Sequence, residues 1–234
     1  MRLPKALSVL CAGALALMVL SFSIAVPILC RPFYYLHINA LDLPARTGWS
    51  EETIQEAYDQ VLDYCVLGQP FGTGQLAWSE SGYSHFADVR ELFLLDFLVL
   101  GASAALCVLL LALRLWQKKP FSPLLGRGPG FWAGVSAGGL VLVVAGLAAL
   151  DFDRAFTVFH ALFFPGKDNW IFDPAADQII QVMPQTFFRN CAILDRRGIA
   201  GLLRRAHPGR PAPHPKKIAE KIARGTCISR SPGL

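Results

Sequence analysis

Three long apolar stretches divide this chain. Residues 6–30, 92–113 and 131–150 contain a single charged side chain between them, Asp96. Each stretch reaches the roughly 20 residues that a helix needs to cross the hydrocarbon core of a bilayer. We therefore predict a membrane-spanning helix over each of the three.

Residues 31–91, between the first two predicted spans, form a polar loop with a helical pattern of its own. Its apolar positions recur at Ile54, Ala57, Tyr58, Val61, Leu62 and Cys65. This spacing is typical of an amphipathic helix, and Ser50 is placed to cap its start. We therefore predict that the loop is helical.

A fourth span is doubtful. The candidate, residues 178–194, is short and contains Pro184, Arg189 and Asn190. From Arg189 onward there are eleven Lys or Arg residues and two acids, a bias that favours the cytoplasm and so requires another crossing. Either a poor fourth span exists, or the tail stays outside despite its charge. Residues 195–234, rich in Pro, Gly and basic groups, read as a disordered or membrane-surface tail.

Composition supports the membrane assignment. The chain of 234 residues is 53% hydrophobic and 17% charged, whereas soluble domains carry about 25% charged residues. The positive charge lies at the N-terminus, in one short linker and in the tail, which argues against a nucleic-acid partner. The predicted fold class is an all-α polytopic membrane helix bundle over residues 1–194, with three clear spans, a doubtful fourth and a helical extracytoplasmic loop.

Charge also predicts the orientation. Arg2 and Lys5 precede the first span, and Lys118 and Lys119 follow the second, so both regions are expected in the cytoplasm. The loop over residues 31–90 carries three arginines against eight acids and is expected outside. A cleaved signal peptide is the competing interpretation of the first apolar stretch. That stretch is longer than a signal-peptide core, so we expect it to stay as an anchor.

Two histidines lie beside predicted spans. His85 lies in residues 84–90 (Ser-His-Phe-Ala-Asp-Val-Arg), just before the second span, and His160 lies in residues 159–164 (Phe-His-Ala-Leu-Phe-Phe), just after the third. With alternating spans both imidazoles face the same, outer side, which suggests an acid–base catalytic pair. Asp88 shares a helix face with His85 and could orient its ring. The alternative is an interfacial histidine beside a helix-start aspartate.

Other chemistries have weaker support. His85, Asp88, His160, Asp173 and Asp177 could supply a histidine–carboxylate set for zinc, but no H-E-x-x-H signature is present. No G-x-S-x-G elbow and no C-x-x-C pair occur either. We assign no metal and no cofactor. Trp170 also fits an aromatic belt, and Asp173 before Pro174 also fits a helix N-cap.

The histidine segments, together with residues 169–174 (Asn-Trp-Ile-Phe-Asp-Pro) and Phe187-Phe188, resemble a family of small bacterial membrane proteins. Its characterised members are lipoprotein intramolecular transacylases, called Lit. The resemblance covers roughly residues 5–190. After Phe188 this chain departs from the family, because Asp195-Arg196-Arg197 and a basic tail stand where the family continues into an apolar fourth span.

The resemblance implies a multi-pass protein of the bacterial cytoplasmic membrane with an extracytoplasmic active site. Its partners would be membrane lipids and a lipoprotein whose N-terminal cysteine carries a diacylglyceryl group. It would move the sn-2 acyl chain to the α-amino group of that cysteine, with His85 and His160 as catalytic residues. We assign Asp88 to the catalytic set, and Ser84, Trp170, Asp173 and Asp177 to substrate binding.

Two alternatives stay open. A membrane metal-dependent hydrolase on the same scaffold would lose its activity to a chelator and regain it with zinc. A non-catalytic protein that binds a lipid or partner through its outer loop would keep its phenotype when both histidines are replaced by alanine.

Overall fold

The computed structural model describes residues 2–191, and the regular elements in this range are helices. They are α1 (Lys5–Leu29), α2 (Arg31–Ala40), α3 (Leu43–Thr47), α4 (Glu51–Leu67), α5 (Glu80–Gln117), α6 (Pro129–Leu150), α7 (Phe152–Phe163) and α8 (Ile179–Val182). The chain is helical again over residues 185–191. The predicted all-α fold is confirmed for this part of the chain.

Helices α1, α5 and α6 are long and apolar enough to cross a membrane, and they contain the three predicted spans to within one residue at the end of α1. Helix α1 packs against both of the others. Its contact with α6 is made by small side chains, because Ala16 packs against Ala133 and Ala137. Small residues let two helices approach closely where lipid provides no hydrophobic drive for association.

Helix α5 is longer than a membrane requires. Its 38 residues extend roughly 57 Å at about 1.5 Å per residue, whereas the hydrocarbon core is about 30 Å thick. The apolar stretch over residues 92–113 is the part that matches this thickness. The first turns of α5, which carry His85, therefore lie outside the membrane-spanning segment.

Helices α2, α3 and α4, the first turns of α5 and helix α8 share one buried core, which we call the loop subdomain. Tyr34 stacks on Tyr58 with ring centroids 3.7 Å apart, and its hydroxyl donates to the Val182 carbonyl at 2.8 Å. Arg31 pairs with Asp59 at 2.7 Å and so links α2 to α4. These contacts join segments that are distant in sequence. The core that they form lies beside the start of α5.

Serine side chains cap the two helices that support the site. The Ser50 hydroxyl accepts a hydrogen bond from the Thr53 amide at the start of α4, which confirms the predicted cap. The Ser79 hydroxyl accepts one from the Gly82 amide at the start of α5. Because α5 begins at Glu80, His85 falls in its second turn, inside the loop subdomain.

The region of the doubtful fourth span is not one continuous helix in residues 178–191. Helix α8 is four residues long, and its Ile179 and Val182 are buried in the loop subdomain. The helix is interrupted at Met183 and Pro184 before it resumes at residue 185. Residues 192–194 and the predicted basic tail, 195–234, lie outside the described residues.

Candidate active site

His85 and His160 lie in separate segments of the sequence, and the fold brings their rings together. Their ring centroids are 5.8 Å apart, and the ring planes make an angle of 32°. The two residues are 5% and 6% exposed. A reacting group placed between the rings could contact both of them.

The ring of His160 is held by its own helix. Its Nδ1 lies 2.8 Å from the carbonyl oxygen of Phe156, one turn earlier in α7. A carbonyl oxygen can only accept, so Nδ1 must carry the proton and donate it. In the neutral ring the lone pair is then on Nε2, the atom that can act as a base.

Aromatic side chains form the walls of the site. The ring of His160 stacks on Trp170 at 4.5 Å and lies 4.2 Å from Phe156. The ring of His85 meets Phe164 and Phe172 edge to face, at 5.0 and 5.3 Å. The space around both imidazoles is therefore mostly apolar.

This surrounding determines the protonation of the histidines. Burial lowers the pKa of His160, and the hydrogen bond to the Phe156 carbonyl offsets part of that change. Burial also lowers the pKa of His85, and the neighbouring His160 lowers it further. The ordinary pKa of histidine is about 6.5, so both rings are neutral at pH 7 and able to take up a proton.

Asp88 contacts a loop rather than His85 itself. Its carboxylate accepts hydrogen bonds from the Lys167 ammonium and, at 2.9 Å, from the Asn169 carboxamide. The same carboxamide nitrogen lies 3.2 Å from the Ser84 hydroxyl. No direct hydrogen bond between Asp88 and His85 is found in the described part of the chain. Asp88 and Ser84 thus hold the segment that follows α7 against α5.

The two later aspartates occupy different surroundings. Asp173 accepts a hydrogen bond from the Ala175 amide at 2.9 Å, so it caps a turn rather than a helix. Asp177 is buried, and its carboxylate accepts from the backbone amide and the hydroxyl of Ser79, both at 2.8 Å. Asp177 therefore holds Ser79, the N-cap of α5, in place.

Some residues of the site were not predicted from the sequence. Ser79, Phe164, Lys167, Asn169 and Phe172 line or hold it, but no role was assigned to them. Lys167 did carry a signal, because it is the one lysine between Lys119 and Lys216. Phe164 and Phe172 lie in the segments that carry the family resemblance, but aromatic residues are too common in a membrane protein for their presence alone to assign a role.

The carboxylates of the site do not gather around the histidines. Within residues 2–191 no group of three or more His, Cys, Asp or Glu side chains is arranged to hold a metal ion. Among the residues considered for zinc, Asp177 faces Ser79, and Asp88 faces Lys167 and Asn169.

The fold and the site define a helical integral membrane protein with two buried histidines beside the ends of its spans. A family model described as lipoprotein intramolecular transacylase Lit matches residues 9–188. The chain therefore belongs to the Lit family, and the resemblance seen in the sequence is confirmed. It is a bacterial integral membrane protein.

Solved structures of the membrane integral lipoprotein intramolecular transacylase Lit from Bacillus cereus share the fold. One matches with a TM-score of 0.72 at 20% identity, covering 95% of this chain and 98% of that chain. A variant of that protein with a histidine replaced by alanine matches with a TM-score of 0.67 at 20% identity, over 86% and 94% of the two chains. A variant with arginine there gives 0.66 at 20% identity, over 86% and 92%. No curated protein matches the chain.

Proposed function

We propose that this protein is a lipoprotein intramolecular transacylase of the bacterial cytoplasmic membrane. Its substrate would be a lipoprotein whose N-terminal cysteine carries a diacylglyceryl thioether. The enzyme would move the sn-2 acyl chain to the α-amino group of that cysteine, on the extracytoplasmic side. The observation that carries this proposal is the pair of buried imidazoles, 5.8 Å apart, beside the ends of membrane spans in a member of the Lit family.

The reaction needs two proton acceptors. The α-amino group of a peptide has a pKa of about 7.7–8.0, so the substrate arrives mainly as an ammonium. This ammonium must lose one proton before it can attack the ester carbonyl and a second one after attack. The departing glycerol oxygen gains one of them. Two histidines that are both neutral at pH 7 match this requirement.

We assign the first proton to His160. Its Nε2 carries the lone pair and takes a proton from the ammonium, which leaves an imidazolium next to the ester. The amine nitrogen then bonds to the carbonyl carbon and forms a tetrahedral intermediate. The positive charge on His160 stabilises the negative oxygen of that intermediate.

His85 takes the second proton, as the base. Its ring removes a proton from the cationic nitrogen of the intermediate, and the carbon–oxygen bond to glycerol breaks as the amide forms. The His160 imidazolium gives its proton to the departing oxygen. One proton remains on His85 and is released, so atoms and charge balance without a co-reactant.

Substrate positioning falls to residues around the pair. Amine and ester belong to one molecule, so correct placement supplies a large share of the acceleration. Trp170 stacks on His160, and Ser84, next to His85 in sequence, contacts Asn169; we assign both to the space in which the head group would lie. Asp173 lies beyond Trp170 on the same segment, and Asp177 acts by fixing the start of α5.

Lipoprotein profiling by mass spectrometry tests the proposal. Cells that lack other N-acylating activity would express the wild type, His85→Ala, His160→Ala or, as a control, His37→Ala. His37 lies in α2, where its Nδ1 contacts the Phe33 carbonyl. The wild type and His37→Ala should yield the N-acylated lyso-form, and the two site variants should yield almost none at equal protein levels. Lyso-form in full amount from both site variants would overturn the proposal.

A further inference from the structure

Asn169 holds a central place among the hydrogen bonds beside His85. Its amide nitrogen lies 2.9 Å from the Asp88 carboxylate and 3.2 Å from the Ser84 hydroxyl. Both contacts use the N–H groups, so the carboxamide oxygen is turned away from these two partners. That oxygen is buried and has no hydrogen-bond partner within residues 2–191.

His85 has a matching buried group without a partner. Its Nδ1 is buried and makes no hydrogen bond within the described range. A buried polar atom left unpaired costs about 1–3 kcal/mol, so the Asn169 oxygen and the His85 ring nitrogen each have a strong reason to find a partner. His85 also lies between Ser84 and Asp88 in sequence, the two residues that hold the Asn169 amide.

We propose that Asn169 is a positioning residue for His85: its carboxamide oxygen accepts the Nδ1 proton of the ring and keeps Nε2 directed at the substrate. This inference rests on the proposed function, and it names the residue through which Asp88 acts. Asp88 fixes the amide end of Asn169, and the oxygen end then fixes the tautomer of His85. Asp88 would therefore orient His85 indirectly, through Asn169.

Charge around the ring is consistent with this role. Burial, His160 and Lys167 disfavour the protonated ring of His85 and lower its pKa, while the negative charge of Asp88 and the carboxamide of Asn169 favour it. A carboxamide favours a protonated ring when its oxygen faces the ring as an acceptor. The hydrogen bond from Nδ1 to this oxygen would be strongest once His85 has taken up a proton and the ring is positively charged.

The first experiment is kinetic. Purified wild type and variants would be assayed with a synthetic diacylglyceryl lipopeptide in lipid nanodiscs. Asn169→Ala should lower kcat by roughly tenfold to a hundredfold, the scale expected when a reacting group is misplaced, with little change in KM. Asp168→Ala is the matched control on the same segment, because no hydrogen bond is found for its side chain within residues 2–191, and it should leave kcat unchanged. Wild-type kcat in Asn169→Ala would overturn the proposal.

A second variant separates orientation of the ring from simple tethering of the loop. Asn169→Asp keeps an acceptor for His85, but it sets a second carboxylate against Asp88. Combining it with Asp88→Asn restores a donor and an acceptor across that contact. The double variant should regain kcat relative to Asn169→Ala, and the acid limb of its pH profile should move to higher pH, because a full negative charge now faces the ring. Regained kcat with an unmoved acid limb would mean that Asn169 only holds the loop.

A titration that needs no activity completes the test. The ring signals of His85 can be followed by NMR in protein labelled at its five histidines, with His85→Ala used for assignment. The pKa of His85 should fall in Asn169→Ala and rise in Asn169→Asp. Equal values in the wild type and both variants would refute the role of Asn169. If the titration behaves as expected and the wild type does not convert the lipopeptide, the proposed function fails while the contact stands.

Discussion

At the scale of single residues, Gly82 shows how tightly the start of α5 is packed. A Cβ atom added there would lie 2.1 Å from the Oδ1 atom of Asp177 and 3.3 Å from the ring of Phe172. Asp177 is buried and already bonded to Ser79, so its carboxylate has little room to move. The helix cap and the wall of the histidine site therefore share one small space.

This packing predicts the effect of Gly82→Ala. The new methyl group would displace Asp177 from Ser79 and loosen the N-cap of α5, which destabilises the protein by about 1–3 kcal/mol. Thermal unfolding in detergent should show a melting temperature lower by several degrees, together with reduced activity. Gly101→Ala is the matched control, because nothing in the described chain lies within 4 Å of the added atom. Equal melting temperatures for the two variants would contradict this account.

The two histidines could be singled out from the sequence, but the contacts around them could not. His85 and His160 were recognisable because each lies in an aromatic segment at the edge of a span. The hydrogen bonds of Asp88 to Lys167 and Asn169 join positions about 80 residues apart in sequence, and no local pattern reports them. The assigned substrate contacts of Ser84 and Trp170 stay predictions.

At the scale of helices, α7 has two faces with different surroundings. His160 points inward, while Val158, Phe159 and Leu162 are exposed, Leu162 at 70%. A single residue, Asp151, separates α7 from α6, so α7 starts at the level where the third span leaves the hydrocarbon. An amphipathic helix in this position is expected to rest in the head-group layer with its apolar face towards lipid.

Two substitutions test this placement. In lipid nanodiscs, Leu162→Asp would force a carboxylate into the acyl-chain boundary and should lower the melting temperature by several degrees. Thr157→Asp, on a different side of the same helix, should change it little, because Thr157 is exposed and, among residues 2–191, its hydroxyl bonds only to the Asp153 carbonyl. Equal melting temperatures for the two variants would mean that the face of α7 that carries Leu162 does not contact lipid.

Local sequence patterns predicted where helices form better than they predicted how the helices pack against one another. The amphipathic spacing and Ser50 gave α4, since both signals lie within a few residues. Gly134, Gly138 and Gly139 give α6 a small-residue pattern that would permit close helix contact, yet within the described chain the space beside each of them is open. Ala133 and Ala137 contact α1 instead. The rotation of α6 about its axis depends on its partners, so one sequence cannot reveal it.

At the scale of the whole molecule, the predicted orientation can be tested with reporter fusions. Alkaline phosphatase should be active when fused after Gly68 or Asp168 and inactive after Lys119, because the positive residues of the linker favour the cytoplasm. Green fluorescent protein, which reports a cytoplasmic location, should give the opposite pattern. Activity after Lys119 would reverse the assigned side, and different results at Gly68 and Asp168 would separate the two histidine segments.

The architecture was largely predictable because apolar length is a strong signal. Three spans and a helical loop follow from hydropathy and charge alone. The loop subdomain was not foreseen as a packed unit, since its core joins α2 and α4 with α8, from opposite ends of the described chain. The burial of Ile179 and Val182 in that core explains why the doubtful fourth span does not begin as one long helix.

The aromatic lining has a chemical consequence for the outcome of the reaction. An ester can be lost to hydrolysis as well as captured by an amine, and the balance depends in part on how many solvent molecules reach the carbonyl. Phe156, Phe164, Trp170 and Phe172 place apolar rings with centroids 4.2–5.3 Å from those of the two imidazoles. Under the proposed function, such a dry compartment would direct the fatty chain to nitrogen and suppress the wasteful release of free fatty acid.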